Sequence, residues 1–522
     1  MPQIKTFLIG SELERVDTEE QVIYIKGHYF IDRNKEDYAQ YDSDDQGLQL
    51  LKDSKVAELQ EQYNIDDSKL SHKVTFRVLL PFCIISAIHY MTRFAIAVAS
   101  QVGLKEDLGL TDSQYNLATA VFFIPYVIFE LLSNLLLKYI RPHYFMTFYV
   151  FMLGVTVLCN GFVTSFSGII VCRFFTGLFQ SNSSALYYIL ANYYPNHKSQ
   201  KVYTAYYSFG TAGGLLSFLL VKVADKIDIL SRWSWIFIFE GILTILLSIP
   251  LFFFIPDFPE GARFLDDDET IYLVKKLEVY GGKSGYQLRV GFKDVLAVLS
   301  DPLLWWGTLA YLGVLGCSYS YAYFEPTIVQ ALTDDIPGSN KLLLEGIPFA
   351  ISIILANIFA WLSDYVEKRA PFALIGALLA FAGLILMESN PTNNTVRYYG
   401  CSMAVVGLSC TIPVVVCWVT MNFGGHLRKN VATAWMISFA STAGIFSNFL
   451  FTDADAPQYR TGIWANIVFL SVSFLFMIIY MLSLLQENKK KTSAIYREHF
   501  DALSSREKTF LGDKSPSFKY ML

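Results

Sequence analysis

The sequence predicts an all-α membrane protein of twelve transmembrane helices in two pseudo-symmetric six-helix bundles. Three observations predict it. Of 522 residues, 53% are hydrophobic and 16% aromatic, and only 17% are charged, where a soluble protein would carry about 25% charged residues. The charges gather in the first seventy residues, a central stretch, the short loops and the last residues. The apolar runs between them are long enough to cross a hydrocarbon layer of roughly 30 Å, which takes about 20 helical residues. Finally, a polar interruption from Ile255 to Pro302, in which Pro256 and Pro259 stop any helix, leaves six apolar segments on each side.

Residues 1–72 mix Glu, Asp, Gln, Lys and Tyr with few aliphatics, which predicts a cytosolic, mostly disordered tail. The first bundle occupies 73–255, with helices expected at 76–100, 117–138, 144–163, 168–193, 203–223 and 235–255. The linker, 256–302, carries Ile271, Val274 and Leu277 at helical spacing beside Lys275, Lys276 and Glu278, ahead of Gly281-Gly282, so a short amphipathic helix along the membrane face is expected. The second bundle occupies 303–487, with helices at 303–325, 343–362, 372–389, 397–421, 429–451 and 462–485, and 488–522 is read as a second cytosolic tail. Six spans, a linker and six spans are the footprint of a transporter whose halves rock against each other.

Orientation follows from Lys and Arg near the span ends. With the amino terminus inside, the cytosolic edges hold Lys69, Lys73, Arg77, Lys138, Arg141, Lys198, Lys201, Lys368, Arg369, Arg428, Lys429 and Lys489 to Lys491. The outer edges hold Lys105, Lys222, Lys226, Arg232, Lys341 and Arg397, and the even number of spans puts both termini in the cytosol. The polar start of the chain predicts no cleaved signal peptide. All seven cysteines fall in or beside apolar segments and read as packing residues, not as disulfides or a metal cluster. No basic block points to nucleic acid. No zinc, phosphate-loop or nucleophile-elbow motif points to an enzyme, and no cofactor is expected.

One set of residues resembles a known family. Arg77-Val78-Leu79-Leu80-Pro81 enters the first helix, and Tyr126, Glu130, Ser133 and Asn134 lie on the second. Arg173 with Gly177 lies on the fourth, and Trp233-Ser234-Trp235-Ile236-Phe237-Ile238-Phe239-Glu240-Gly241 opens the sixth. Asp257-Phe258-Pro259-Glu260-Gly261-Ala262-Arg263-Phe264-Leu265 starts the linker, and Ala456-Pro457-Gln458-Tyr459-Arg460-Thr461-Gly462 precedes the last helix. These resemble the major facilitator superfamily and, within it, the fungal allantoate permease group of anion:cation symporters. The resemblance implies the major facilitator fold and uptake of a small carboxylate-bearing nutrient or vitamin, such as allantoate, nicotinate, pantothenate or biotin, generally with protons. It implies a plasma-membrane address, with an internal membrane as the alternative. The chain departs from the family pattern at Thr92 and Gln180, where acids are usual, at Leu132, where proline is, and at Ser234, where arginine is.

Charges in a bilayer core cost at least about 2.5–3.5 kcal/mol on insertion scales, so Arg93, Glu130, Arg173 and Glu240 each need a partner, a wet cavity or a task. At about 1.5 Å per helical residue, Arg93 and Arg173 lie roughly 12 and 8 Å from the outer ends of their helices, a level at which both would grip one anion; Glu130 lies roughly 21 Å deep. A guanidinium offers a planar donor fork matched to a carboxylate, which makes Arg93 and Arg173 candidate substrate clamps. Glu130 is the candidate proton carrier, since burial and a nearby cation pull its proton affinity in opposite directions. The alternative is a helix lock in which Glu130 pairs with an arginine or with backbone, and Glu240 reads as a structural pair.

Tyr319 and Tyr323 share a face of the seventh helix, as an outer substrate gate or as an interfacial aromatic belt. Asn357, Trp418, Asn422 and Trp435 are candidate contacts for a flat or amide-bearing solute, or groups that bond helix to helix. Lys138, Arg141, Asp364, Lys368 and Arg369 resemble the superfamily's cytosolic latch between the halves. The partners expected are a small organic anion, protons and the lipid bilayer, around a monomeric carrier. A non-transporting nutrient sensor on the same fold is the competing reading.

Overall fold

The computed structural model describes residues 21–25, 28–32, 45–137, 139–224, 229–281, 292–332, 338–391, 393–451, 458–493, 496, 498, 502, 512–516 and 518–522. Before the membrane segments come an antiparallel hairpin, β1 (Gln21–Ile25) with β2 (His28–Asp32), and helix α1 (Asp45–Tyr63). Helix α2 (Asp67–Val74) runs through a π-helical turn, Thr75–Leu79, into α3 (Leu80–Ser100). The rest of the first bundle is α4 (Leu104–Asp107), α5 (Asp112–Val121) with α6 (Phe123–Leu136), α7 (Pro142–Asn160), α8 (Phe166–Gln180) with α9 (Ser183–Ala191), α10 (Ser199–Ala224) and α11 (Arg232–Phe254). Helices α12 (Asp267–Gly281) and α13 (Phe292–Leu299) form the linker. The second bundle is α14 (Pro302–Leu332), α15 (Gly338–Val366), α16 (Ala370–Ser389), α17 (Asn394–Met421), α18 (His426–Ser441) with α19 (Ala443–Ser447), and α20 (Arg460–Lys491).

Among the described residues eight helices are long and apolar enough to cross a bilayer, or nine if α13 and α14, bent by 60°, count as one span. Two others are interrupted, α8/α9 at Ser181-Asn182 and α18/α19 at Thr442. Local chemistry sets the starts. Thr111 and Gln114 form a reciprocal capping box on α5, Ser165 caps α8 and Asn393 caps α17, while prolines open α7 and α14.

Small residues then let helices approach. A Cβ on Gly213 of α10 would collide with the Ala87 backbone of α3, and one on Gly407 of α17 with Ala380 of α16. Two helix pairs make the seam between bundles, α10 against α15 and α6 against α18. The second span of each half thus meets the fifth span of the other, which is the pairing a pseudo-two-fold axis dictates. Ser438 Oγ donates to the Val127 carbonyl at 2.7 Å and Asn430 Nδ2 to the Asn134 carbonyl at 3.2 Å across it.

The structure differs from the expected tails. The chain is helical over 45–63 and 67–74, where Val56, Leu70 and Val74 are buried in the main core and polar contacts to α12 lie beside them. Tyr280 of α12 donates to Asp53 at 2.6 Å, Tyr272 to Asp67 at 3.0 Å, and Lys73 pairs with Glu269 at 2.7 Å; Lys276 also pairs with Asp67. At the other end, α20 continues to Lys491, and residues 512–516 and 518–522 lie folded against the second bundle.

Candidate functional site

The end of the molecule carrying Lys73, Arg77, Lys198, Lys201, Lys368, Arg369 and Arg428 is its basic end, and there the two bundles are locked together. Asp364, at the end of α15, accepts from the backbone N–H of Gln200 at 3.3 Å and of Lys201 at 3.0 Å, the unsatisfied donors of the first turn of α10. Arg369, 1% exposed, pairs with Asp364 at 2.6 Å and donates to the carbonyls of Asn196 at 3.2 Å and His197 at 3.4 Å in the other bundle. Asp364 and Arg369 are therefore the members of the expected latch that the structure brings together. Arg141 and Lys368 are exposed, and Lys138 lies outside the described residues.

Away from that end, a partly open cavity lies between the bundles. It is lined by Tyr90, Phe94, Ala97 and Val98 of α3, by Tyr207, Thr211, Gly214 and Leu215 of α10, and by Ser318, Tyr321, Ala322, Phe349, Val405, Leu408 and Ser409 of the second bundle. None of these was singled out from sequence. The signal was there in phase, since Tyr90, Phe94 and Ala97 repeat at i, i+4 and i+7 and Tyr207, Thr211 and Gly214 do the same.

Arg93 lies on the same helix as four of the lining residues and is 7% exposed. Its Nε donates to Gln180 at 3.1 Å and its Nη1 to the Tyr319 hydroxyl at 3.0 Å, so it already spans both bundles. Gln180 donates in turn to Thr92 at 2.7 Å, so the two positions where acids were expected carry a neutral hydrogen-bonded pair beside the arginine. The guanidinium lies 4.8 Å from the Tyr126 ring centre and 5.2 Å from that of Phe122. Arg173 sits 4.9 Å from the same Phe122 ring and donates to the Arg93 carbonyl at 3.3 Å. Phe122 thus lies against both guanidinium groups.

Glu130, fully buried on α6, accepts from the Ser184 N–H at 2.6 Å and from its hydroxyl at 2.5 Å. The break at Ser181-Asn182 supplies that N–H, by starting α9 inside the bundle. Glu240 accepts from Ser217 at 2.7 Å, an intrahelical-bundle pair between α11 and α10.

The other candidates are engaged elsewhere. Asn357 donates to Ser208 across the seam at 2.9 Å, and Trp435 packs on Trp305 and Phe439. Trp418 and Asn422 donate to the Met521 carbonyl, at 3.0 Å each, and do not line the cavity. The side chain of Tyr323 lies outside the described residues. No group of His, Cys, Asp or Glu among the described residues is arranged to hold a metal ion.

The profile of the Major Facilitator Superfamily matches residues 82–448, from the start of α3 through α19. The chain belongs to the major facilitator superfamily. This major facilitator is 24% identical over 454 residues to an uncharacterised transporter of Schizosaccharomyces pombe, covering 85% of this chain and 89% of that one. It is 24% identical over 437 residues to the high-affinity nicotinic acid transporter of Saccharomyces cerevisiae, covering 82% and 79%. Among solved structures, the proton:xylose symporter XylE superposes with a TM-score of 0.59 at 14% identity, over 78% of this chain and 95% of that one. It is a multi-pass membrane protein and a secondary transporter of a small solute, with the twelve-helix fold expected from sequence.

Proposed function

We propose that this transporter takes up a small organic anion, a carboxylate-bearing nutrient or vitamin, together with protons, as a member of the allantoate permease group. It works as a monomer in the plasma membrane, with the basic end and both termini in the cytosol. The observation that carries the reading is Arg93, buried beside the inter-bundle cavity and bonded to Tyr319 of the opposite bundle. Arg93 is one residue from Phe94 of the lining but not in the lining itself, so a solute meets its guanidinium only once the bond to Tyr319 opens, and the two-pronged geometry then favours a carboxylate. Arg173 completes the clamp once Phe122 shifts. The likeness to a nicotinic acid transporter supports the same solute class. Glu130 is assigned the proton.

The test is uptake of labelled solute by cells expressing the protein, with competition by carboxylates, sulfonates and amides at two pH values. Carboxylates compete and neutral amides do not, and Arg93→Lys weakens the apparent affinity for anions about tenfold or more, since a point charge replaces the fork. Ordinary affinity in that variant removes Arg93 from the site. Solute that binds to purified protein in vesicles without accumulating overturns transport itself.

A further inference from the structure

Residues 512–516 and 518–522 are built into the molecule by side chains that are themselves buried. Asp513 is fully buried and accepts from the Gly424 N–H at 3.2 Å, from Arg428 Nε at 2.7 Å and from the Tyr520 hydroxyl at 3.0 Å. Lys491, at the end of α20, donates to the carbonyls of Asp513 at 2.5 Å and Phe518 at 2.8 Å, with its ammonium 3.7 Å from the Tyr520 ring centre. Two asparagines then hold the backbone at both its polar edges. Asn488 exchanges hydrogen bonds of 2.9 Å with Tyr520, and Asn422 exchanges bonds of 2.8 and 3.0 Å with Met521. Trp418 adds a third bond to the Met521 carbonyl, and the Arg369 N–H donates to the carbonyl of Leu522.

These contacts tie the α15–α16 turn, the end of α17, the start of α18 and the end of α20 into one unit. Two of them act on the parts that must move. Arg369 is the residue whose guanidinium reaches the carbonyls of Asn196 and His197 in the other bundle, and α17, which ends at Trp418 and Asn422, lines the cavity with Val405, Leu408 and Ser409. Opening the basic end requires Arg369 and Asp364 to leave Asn196–Lys201 and the end of α17 to swing outward. A segment that fixes both the Arg369 backbone and the α17 end in their present places stabilises the closed arrangement over the open one.

We infer that residues 512–516 and 518–522 act as a strap that holds the basic end shut, and that releasing it raises the fraction of molecules open at that end. The inference rests on alternating access as read above, and on neither the solute nor the coupling ion.

Two native cysteines of α17 read the outcome. Cys417, fully buried next to Trp418, reports the basic end, and Cys401, also buried, lies on the same helix toward the opposite end. Full-length protein in lipid nanodiscs, without solute, is treated with N-ethylmaleimide, and modification of each cysteine is followed by peptide mass. In Asp513→Asn, and separately in a chain whose residues 518–522 are replaced by Gly and Ser, Cys417 reacts about threefold faster or more, while Cys401 reacts no faster than in the native chain. Arg428 keeps Asp301 at 2.6 Å in both variants, so neither strands that charge. Unchanged Cys417 rates in the two variants overturn the strap, as a segment that merely rides on its bundle would leave them. Rates that rise equally at Cys417 and Cys401 overturn it too, because they mark general loosening. A chain that carried no anion would still give the labelling result, so failure here is distinct from failure of the proposed solute.

Discussion

Glu130 is legible in the sequence as a carboxyl in an apolar run, but its partner is not. The donor it accepts from belongs to a helix that starts inside the bundle, and the break at Ser181-Asn182 that exposes the Ser184 N–H has no proline or glycine to announce it. Two roles are thereby joined in one side chain, and substitutions separate them. Glu130→Gln keeps an oxygen for Ser184 and loses the titrating group. It folds with native-like thermal stability and no longer accumulates solute in response to a pH gradient, measured in vesicles. Glu130→Ala instead strands a buried N–H, at a cost of about 1–3 kcal/mol. Retained gradient-driven accumulation in the Gln variant would leave Glu130 only its structural bond. Arg93 was legible for the same reason as Glu130, as a charge where oil was expected. The lining of the cavity was not, since Tyr, Ser and Thr in a helix are packing residues as often as contacts and only the fold puts Tyr90 opposite Tyr207.

At the scale of elements, the spans could be read because twenty apolar residues admit few alternatives in lipid. The helices outside the membrane could not, as the few aliphatics that α1 and α2 bury, Val56, Leu70 and Val74, are too sparse to announce a core, and the bonds to α12 through Asp53, Asp67 and Glu269 leave no period in the sequence. This polar layer abuts His197, whose ring centre lies 4.5 Å from that of Tyr280. Burial pushes the His197 imidazole down from its ordinary value of 6.5 to about 4, helped by Lys198, Lys276 and Arg369 and opposed by Asp53. Between those two values the unfolded chain takes up a proton that the folded chain refuses, so stability is fully present above about 6.5 and is lost as pH falls toward 4. His197→Gln removes that term. Its unfolding temperature in detergent falls by about 2 °C less than that of the native chain between pH 7 and 5, and an equal fall in the two proteins would exclude His197 as the group responsible.

For the whole molecule, the halves meet along α10–α15 and α6–α18, and the basic end is closed by one carboxylate on a helix start. Asp364→Asn leaves an acceptor but removes the charge that holds Arg369 and favours the positive end of α10. The population open at the basic end then rises about tenfold, read as a lengthened distance between spin labels placed on the two bundles at that end. A distance distribution identical to that of the native chain would show that the lock lies elsewhere. The two-bundle plan was legible from six runs, a polar gap and six runs. The strap was not, because a polar stretch carries no period and its anchors, Trp418, Asn422, Asn488 and Lys491, are scattered over about seventy residues of chain.

Because Asp364 holds main-chain amides, the side chains of Gln200 and Lys201 contribute no atom to that grip. The two hydrogen bonds themselves therefore do not depend on which side chains stand there, although Gln200 is buried and bonded to Thr204, and only proline, which has no amide hydrogen to offer, would deprive the carboxylate of its donor.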